Sequence, residues 1–238
     1  MPRTILAVYA HPDDETSSAG ALMAMYAAQG VDVHVITATR GELGTLGTGG
    51  VVIEREDLPG VREAEMRSVL EHYGVHNEPV FLDYRDQELK LADPEEVVEK
   101  ILAVMQRVRP DVVLTFGPQG ISKHDDHVAI HETAVRAFHR YRTSDGVEPR
   151  LLYTAIPREM AERYNIDLEG PETEPNVEVD ARDHWHYKVE GLRLYRSQED
   201  AQEFAQTLED HPWNAEVFHQ AYPPLPEGTV VRGLFGEG

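Results

Sequence analysis

The chain has 238 residues, 41% of them apolar, no cysteine, and a formal net charge of −21. That length and apolar share suit a single α/β domain with its own core, and the missing cysteines exclude disulfides, thiolate catalysis and cysteine-held metals, leaving histidine and carboxylate to hold any ion. The acidity argues against nucleic acid or an anionic membrane surface as partner, since both demand a basic face. It fits a solvated surface or a salt-rich cytoplasm, and lysine is scarce beside arginine. No stretch approaches the ~20 apolar residues of a membrane span, and MPRTILAVYA lacks the pattern of an export signal; a cytoplasmic protein is expected.

In chain order, RTILAVYA reads as a buried strand, a short apolar run bounded by punctuation. TSSAGALMAMYAAQG reads as a helix closed by Gly30. VDVHVITAT is a second strand, followed by the glycine-rich loop RGELGTLGTGGVVIEREDLPG. VREAEMRSVLEHYGV is a helix and EPVFLDY a third strand. DPEEVVEKILAVMQRVRP is an amphipathic helix capped by Asp93, with Pro94 at its first position. DVVLTFG is a fourth strand, HVAIHETAVRAFHRY a helix, and RLLYTAI a fifth strand. Beyond residue 157 come the acidic loop 169–176, the short strand VEVDA, two helical segments (HYKVEGLRLYRSQ and EDAQEFAQTL) and a proline- and glycine-rich tail. Alternating strands and helices predict a Rossmann-like, open, mostly parallel sheet with helices on both faces, in a single domain spanning 1–238. In such sheets ligands bind outside the carboxyl ends of the strands, which directs attention to the loops beginning at His11, Arg40 and Gly117.

Two of those loops carry chemistry. HPDDE (His11–Glu15) follows strand 1. Proline and acids suit a helix start, which accounts for Pro12, Asp13, Asp14 and Glu15 but not for His11. HDDH (His124–His127) follows strand 4 and repeats the recipe of histidine, aspartate and histidine before a helix. Histidine and aspartate at two strand ends, on the side where sites form, point to a metal. His131, four residues after His127, is read as a core residue or outer support and not a ligand. GTLGTGG lacks the Gly-Lys-Ser/Thr of a phosphate loop and is read as a flexible loop over the site.

The run AHPDDE (Ala10–Glu15) together with HDDH resembles the PIG-L/LmbE-like N-acetylglucosaminyl de-N-acetylases. RGELG (Arg40–Gly44), the helix REAEMRSVLEHYGV and RSQ (Arg196–Gln198) are similar to further family features, although Arg196 stands where the family has histidine. The likeness runs from about residue 3 to about 200. It implies that His11, Asp14 and His127 bind one divalent metal, usually Zn2+, with Fe2+ the other candidate. It further implies that Asp13 is the general base, that His124 stabilises the oxyanion, and that Asp126 orients a histidine. The substrate would be a small N-acetylated amino sugar, and the assembly a homo-oligomer.

The residue types support those roles. Two histidines and one carboxylate leave a fourth metal position for water, whose pKa the metal lowers towards ~7. A neighbouring carboxylate can take its proton. Asp126, two residues from His124, is expected to hold that imidazole charged. Arg62 and Glu42 are expected to contact substrate. Two other readings stand beside this one: an amidase acting on thiol-sugar conjugates in the same fold, and a non-catalytic Rossmann-like binding protein whose acids merely cap helices. The second should show a glycine-rich nucleotide fingerprint after strand 1, where AHPDDE stands instead.

Overall fold

A computed structural model describes residues 3–144 and 148–236. Eight strands form one sheet: β1 (Thr4–Tyr9), β2 (Asp32–Thr37), β3 (Val80–Phe81), β4 (Val112–Thr115), β5 (Arg150–Thr154), β6 (Val177–Asp180), β7 (Ala215–Tyr222) and β8 (Val231–Arg232), in the order β3-β2-β1-β4-β5-β7-β6-β8. The five strands from β3 to β5 are parallel; β7 is antiparallel to both of its neighbours. β1 is buried along its whole length, as its unbroken apolar run requires at the centre of a sheet covered on both sides.

Seven helices cover the sheet: α1 (Asp14–Ala28), α2 (Leu58–His72), α3 (Pro94–Val108), α4 (Asp125–Ser144), α5 (Arg158–Arg163), α6 (Trp185–Leu194) and α7 (Glu199–Asp210). α1, α2 and α7 pack around α6, whereas α3 packs against α4. α3 begins as its sequence predicts, with the Asp93 carboxylate accepting from the Glu95 N–H at 2.9 Å. Among the described residues no helix is long and apolar enough to cross a membrane.

The tail differs from expectation. AEVFHQAY, to which the sequence reading assigns no element, is the long strand β7, and α5 and β8 are also additional. The inward residues of β7 are Glu216, Phe218 and Gln220, so two of three are polar and the apolar alternation that marks a strand is absent. Glu216 has a partner that explains it. α1 is broken at Ala19, whose backbone is non-helical, and the freed N–H groups of Ala21 and Leu22 donate to the Glu216 carboxylate at 3.3 and 2.7 Å. Lys188 of α6 completes the cluster, donating to Glu216 Oε1 at 2.7 Å. Both residues are 3% exposed, a buried charge pair with further hydrogen bonds.

The topology positions the site. Strand order reverses between β1 and β4, which are direct neighbours, and the loops leaving their carboxyl ends diverge to open a crevice. Those loops carry His11–Glu15 and His124–His127.

Candidate active site

Three donor groups meet in this crevice. His11 Nδ1 lies 3.2 Å from His127 Nε2, His127 Nε2 lies 3.3 Å from Asp14 Oδ1, and His11 Nδ1 lies 3.5 Å from Asp14 Oδ2. Donors about 2.0 Å from one tetrahedral ion stand roughly 3.3 Å apart, so the spacing fits a divalent cation. The opposite ring nitrogens decide the tautomers. His127 Nδ1–H donates to the Gly120 carbonyl at 2.9 Å, leaving a lone pair on Nε2. His11 Nε2 faces Asp86 Oδ1 at 3.2 Å and Asp126 Oδ2 at 3.3 Å, leaving a lone pair on Nδ1. Two lone pairs and a carboxylate then point at one another, an arrangement that needs a positive charge between them. His124 also lies close: its ring, with those of His11 and His127, forms a second group with donor atoms within 4.8 Å of one another.

Local structure holds each ligand. His127 stacks on Phe116 with ring centroids 4.1 Å apart. Gly120 has φ +65°, and a Cβ there would lie 2.6 Å from the His127 Cβ, so only glycine fits beneath the ligand. The Asp14 carboxylate accepts from the His11 backbone N–H at 2.8 Å. Burial opposes the Asp14 charge, but His127 and His11 overcome it and hold the carboxyl far below its usual range. Burial likewise opposes an imidazolium at His11, and the carboxylates of Asp126, Asp14 and Asp86 outweigh it, pushing its pKa well up; the positive charge that the cluster needs can thus be a proton on Nδ1 or a cation that takes its place. That is the electrostatic signature of a position made for a cation.

The Asp13 side chain does not cap α1. Asp13, just before the helix, makes no side-chain cap bond and adopts a left-handed backbone at φ 101°. This conformation is costly for a residue with a Cβ and is held from two sides. The Asp13 N–H donates to Glu15 Oε2 at 3.0 Å, and Arg62 donates to Asp13 Oδ2 at 2.7 Å. Glu15 is fully buried and accepts from Tyr195 Oη and Thr16 Oγ1, both at 2.6 Å. Burial pushes the Asp13 carboxyl well up, Arg62 opposes, and Asp14 adds to the rise. The binding-protein reading, which gives these acids no role but capping, does not account for the Arg62 pair on Asp13 or for the two histidines facing Asp14.

Several expected contacts are corrected. Asp126 was expected to hold His124; its carboxylate faces His11 and accepts from the Gln87 and Leu89 N–H groups at 2.7 and 3.1 Å. His124 instead precedes α4, and its Nδ1 accepts from the Asp126 N–H at 3.2 Å. Burial, and then the nearness of the His11 and His127 rings, lower its pKa, which works against the charged imidazole that was expected. Arg62 is 4% exposed and its bonds run inward, to Asp13 Oδ2, to the Pro12 carbonyl and to the Gly41 carbonyl. Glu42 accepts from the Asp86 N–H at 3.0 Å and braces that loop. The glycine-rich loop is tied down: Gly47 N–H and Thr45 Oγ1 donate to the Ser197 carbonyl at 3.1 and 2.8 Å, and Thr48 N–H to that of Arg196 at 3.0 Å. Ser197 in turn donates to Glu65 through both its N–H and its hydroxyl. His131 is a core residue, donating to the Phe116 carbonyl at 2.8 Å.

Sequence reasoning missed Asp86. It sits after β3, of which only two residues pair, where the chain turns away early and brings a carboxylate to His11. Its place beyond a strand's carboxyl end was the available signal. Gln198 and Asp200, at the start of α7, were also missed; with Gln87, His124 and the groups above they line an open cleft of about 350 Å³. The acidic 169–176 segment also has a task. Glu172 is fully buried and accepts from the Gln119 and Ile121 N–H groups at 2.7 and 2.8 Å, shaping the loop that carries Gly120.

A family model described as GlcNAc-PI de-N-acetylase (PIG-L) matches residues 6–138, which include both motifs. The chain belongs to this family. Among its PIG-L relatives, a 1D-myo-inositol 2-acetamido-2-deoxy-alpha-D-glucopyranoside deacetylase of Kineococcus radiotolerans is 37% identical over 191 residues, which span 70% of this chain and 52% of the relative. A probable N-acetyl-alpha-D-glucosaminyl L-malate deacetylase 2 of Bacillus cereus is 31% identical over 202 residues, spanning 84% of this chain and 86% of that one. This PIG-L chain therefore spans about half the length of the first relative and most of the second. Of solved structures, the 4-carboxy-2-hydroxymuconate hydratase of Pseudomonas putida superposes with a TM-score of 0.71 at 19% identity, covering 96% of this chain and all of that one; the likeness is one of fold.

Proposed function

We propose that this chain is a metal-dependent amide hydrolase that removes acetyl from an N-acetylglucosamine-type sugar or glycoconjugate. His11, Asp14 and His127 would hold Zn2+ or another divalent ion such as Fe2+. The observation that carries the reading is the meeting of two imidazole lone pairs and the Asp14 carboxylate beside Asp13, a carboxylate made basic by burial.

A divalent cation bound there supplies the charge that polarises an amide carbonyl and acidifies water. Asp13 accepts the proton of the attacking water, which adds to the acyl carbon. His124, with Nδ1 engaged by the Asp126 N–H, keeps its proton on Nε2 and donates it as a hydrogen bond to the developing oxyanion. The C–N bond then breaks, Asp13 returns its proton to the leaving amine, and acetate and a free amino sugar result. Asp126 and Asp86 fix the His11 ring. In place of direct substrate contact, Arg62 positions Asp13 and Glu42 positions Asp86. Gln87, Gln198 and Asp200 offer the sugar hydroxyls partners along the cleft. Cytoplasmic location, expected from the sequence, and a homo-oligomeric assembly, expected from the family resemblance, belong to the same proposal.

The test is amine release from a panel of N-acetylated amino sugars and their inositol and malate glycosides, with and without chelator. Chelator-sensitive release is expected. His11→Ala protein that keeps both its metal and its turnover would refute the reading.

A further inference from the structure

The candidate metal centre adjoins two chambers. Asp14, Ser122 and His127 line both the polar cleft and a neighbouring cavity of about 300 Å³. That second chamber is faced by Phe116, Ile121, Ile156, Ile166, Phe204 and Trp213. All but the first two lie beyond the segment that the family model matches.

Most polar groups in its wall are engaged, although the Trp213 Nε1–H has no partner among the described residues. Lys188 is bonded to Glu216, and Glu216 also to the amides of α1. Thr154 Oγ1 is paired with Tyr9 Oη at 3.0 Å, Ser17 Oγ donates to the Asp14 carbonyl, and Ser122 Oγ is paired with His127 Nδ1. The chamber thus asks little hydrogen bonding of a ligand and offers it mainly apolar surface. An apolar cavity of roughly 150 Å³ admits benzene, so an acetyl methyl would leave most of this one unfilled.

An amide at the centre has two sides. The sugar's hydroxyls need partners, which only the polar cleft supplies, so the acyl side is directed into the apolar chamber. We infer that this chamber is an acyl-binding subsite and that the preferred substrates are amino sugars whose nitrogen carries an apolar acyl chain on the order of six carbons. The inference rests on the hydrolase proposed above. The chemistry is unchanged: water adds to the acyl carbon, the C–N bond breaks, and a carboxylate and an amine form.

Two measurements on the metal-loaded wild-type protein test it. The first is kcat/KM for glucosamine acylated with acetyl, propionyl, butyryl, hexanoyl and octanoyl groups. A rise of about fourfold per added methylene is expected until the chamber is full. Fastest turnover of the acetyl substrate, with a steady fall thereafter, overturns the subsite and leaves the hydrolase standing. So does a preference that follows the chain length of an alkyl aglycone and not of the acyl group. The second reads binding without turnover, through the fluorescence of Trp213 in the chamber wall. Hexanamide should bind at least tenfold more tightly than acetamide, and Val217→Trp, which adds bulk at a residue that also lines the chamber, should abolish the difference while acetyl hydrolysis persists. Equal binding of the two amides overturns the subsite whatever the activity. If no acylated sugar is hydrolysed at all, the hydrolase falls and the subsite with it.

Discussion

Arg62 and Asp13 form a largely buried ion pair, Nη2 to Oδ2 at 2.7 Å, at a point of the site where a residue with a Cβ holds a left-handed backbone. Three residues further along the same helix, Glu65 grips Ser197. A single turn of α2 therefore fastens the loop after β1, the glycine-rich loop through Gly41, and the turn before α7. Removing the guanidinium leaves a buried carboxylate without its counter-charge. Arg62→Ala is expected to cost about 3–5 kcal/mol, read as a lower urea midpoint. Arg62→Lys should recover part of the stability but little activity, because one ammonium cannot reach Asp13 and two carbonyls at once.

Asp13→Asn keeps the shape and loses the basicity. The variant is expected to fold and to bind one divalent ion per chain, yet to lose roughly 10²–10⁴-fold in kcat. Metal analysis beside steady-state kinetics separates this from loss of the site; full activity would remove Asp13 from the mechanism.

Chelation should strip the ion and abolish turnover, and His11→Ala should fail to regain metal on dialysis. Asp126→Ala is the finer test. It removes the carboxylate that fixes the His11 ring and accepts two loop N–H groups, so metal affinity should weaken about 10–100-fold without loss of a ligand. Competition against a chromogenic chelator measures it.

Ser197→Ala deletes the hydroxyl that donates to Glu65 at 2.6 Å. A hydrogen bond to a charged group is worth about 1.5–3 kcal/mol. The expected loss is of that size, together with a raised KM as the loop at Thr45–Thr48 loosens, and hydrogen exchange at Gly47 and Thr48 should speed up.

Glu172 gives stability a pH dependence of defined sign. Burial raises its pKa in the folded chain, against the lowering effect of the Ile121 and Gln119 amides. Between the ordinary glutamate value and the raised one, the unfolded chain has released a proton that the folded chain retains. Stability therefore falls as pH rises through that window. In Glu172→Gln this part of the slope should vanish, which urea midpoints across mildly acidic pH will reveal.

The parallel half of the sheet was legible because its strands are apolar runs and its helices amphipathic, signals that depend on near neighbours in sequence. The two motifs were legible because histidine at a strand end has no use in capping. What escaped shares one cause. Glu216 and Gln220 sit inward on β7, and Glu216 is satisfied by groups on α1 and α6 that no local pattern reveals. Asp86 is a lone aspartate in a loop, and it matters only because β3 ends early. The role of Asp126 was misplaced for the same reason: two residues of sequence separate it from His124, but the fold turns its carboxylate to a histidine 115 residues away.

The clasp of Glu216 on the broken α1 also sets an order of events in synthesis. The carboxylate emerges from the ribosome 194 residues after Leu22, whose amide it receives. Until then the rear half of α1 begins with bare N–H groups, and the turn ahead of it, which carries Asp14, lacks its backing. A nascent chain that already displays both histidine loops is thus still short of a settled cation cradle, which gains its backing only once β7 has been made.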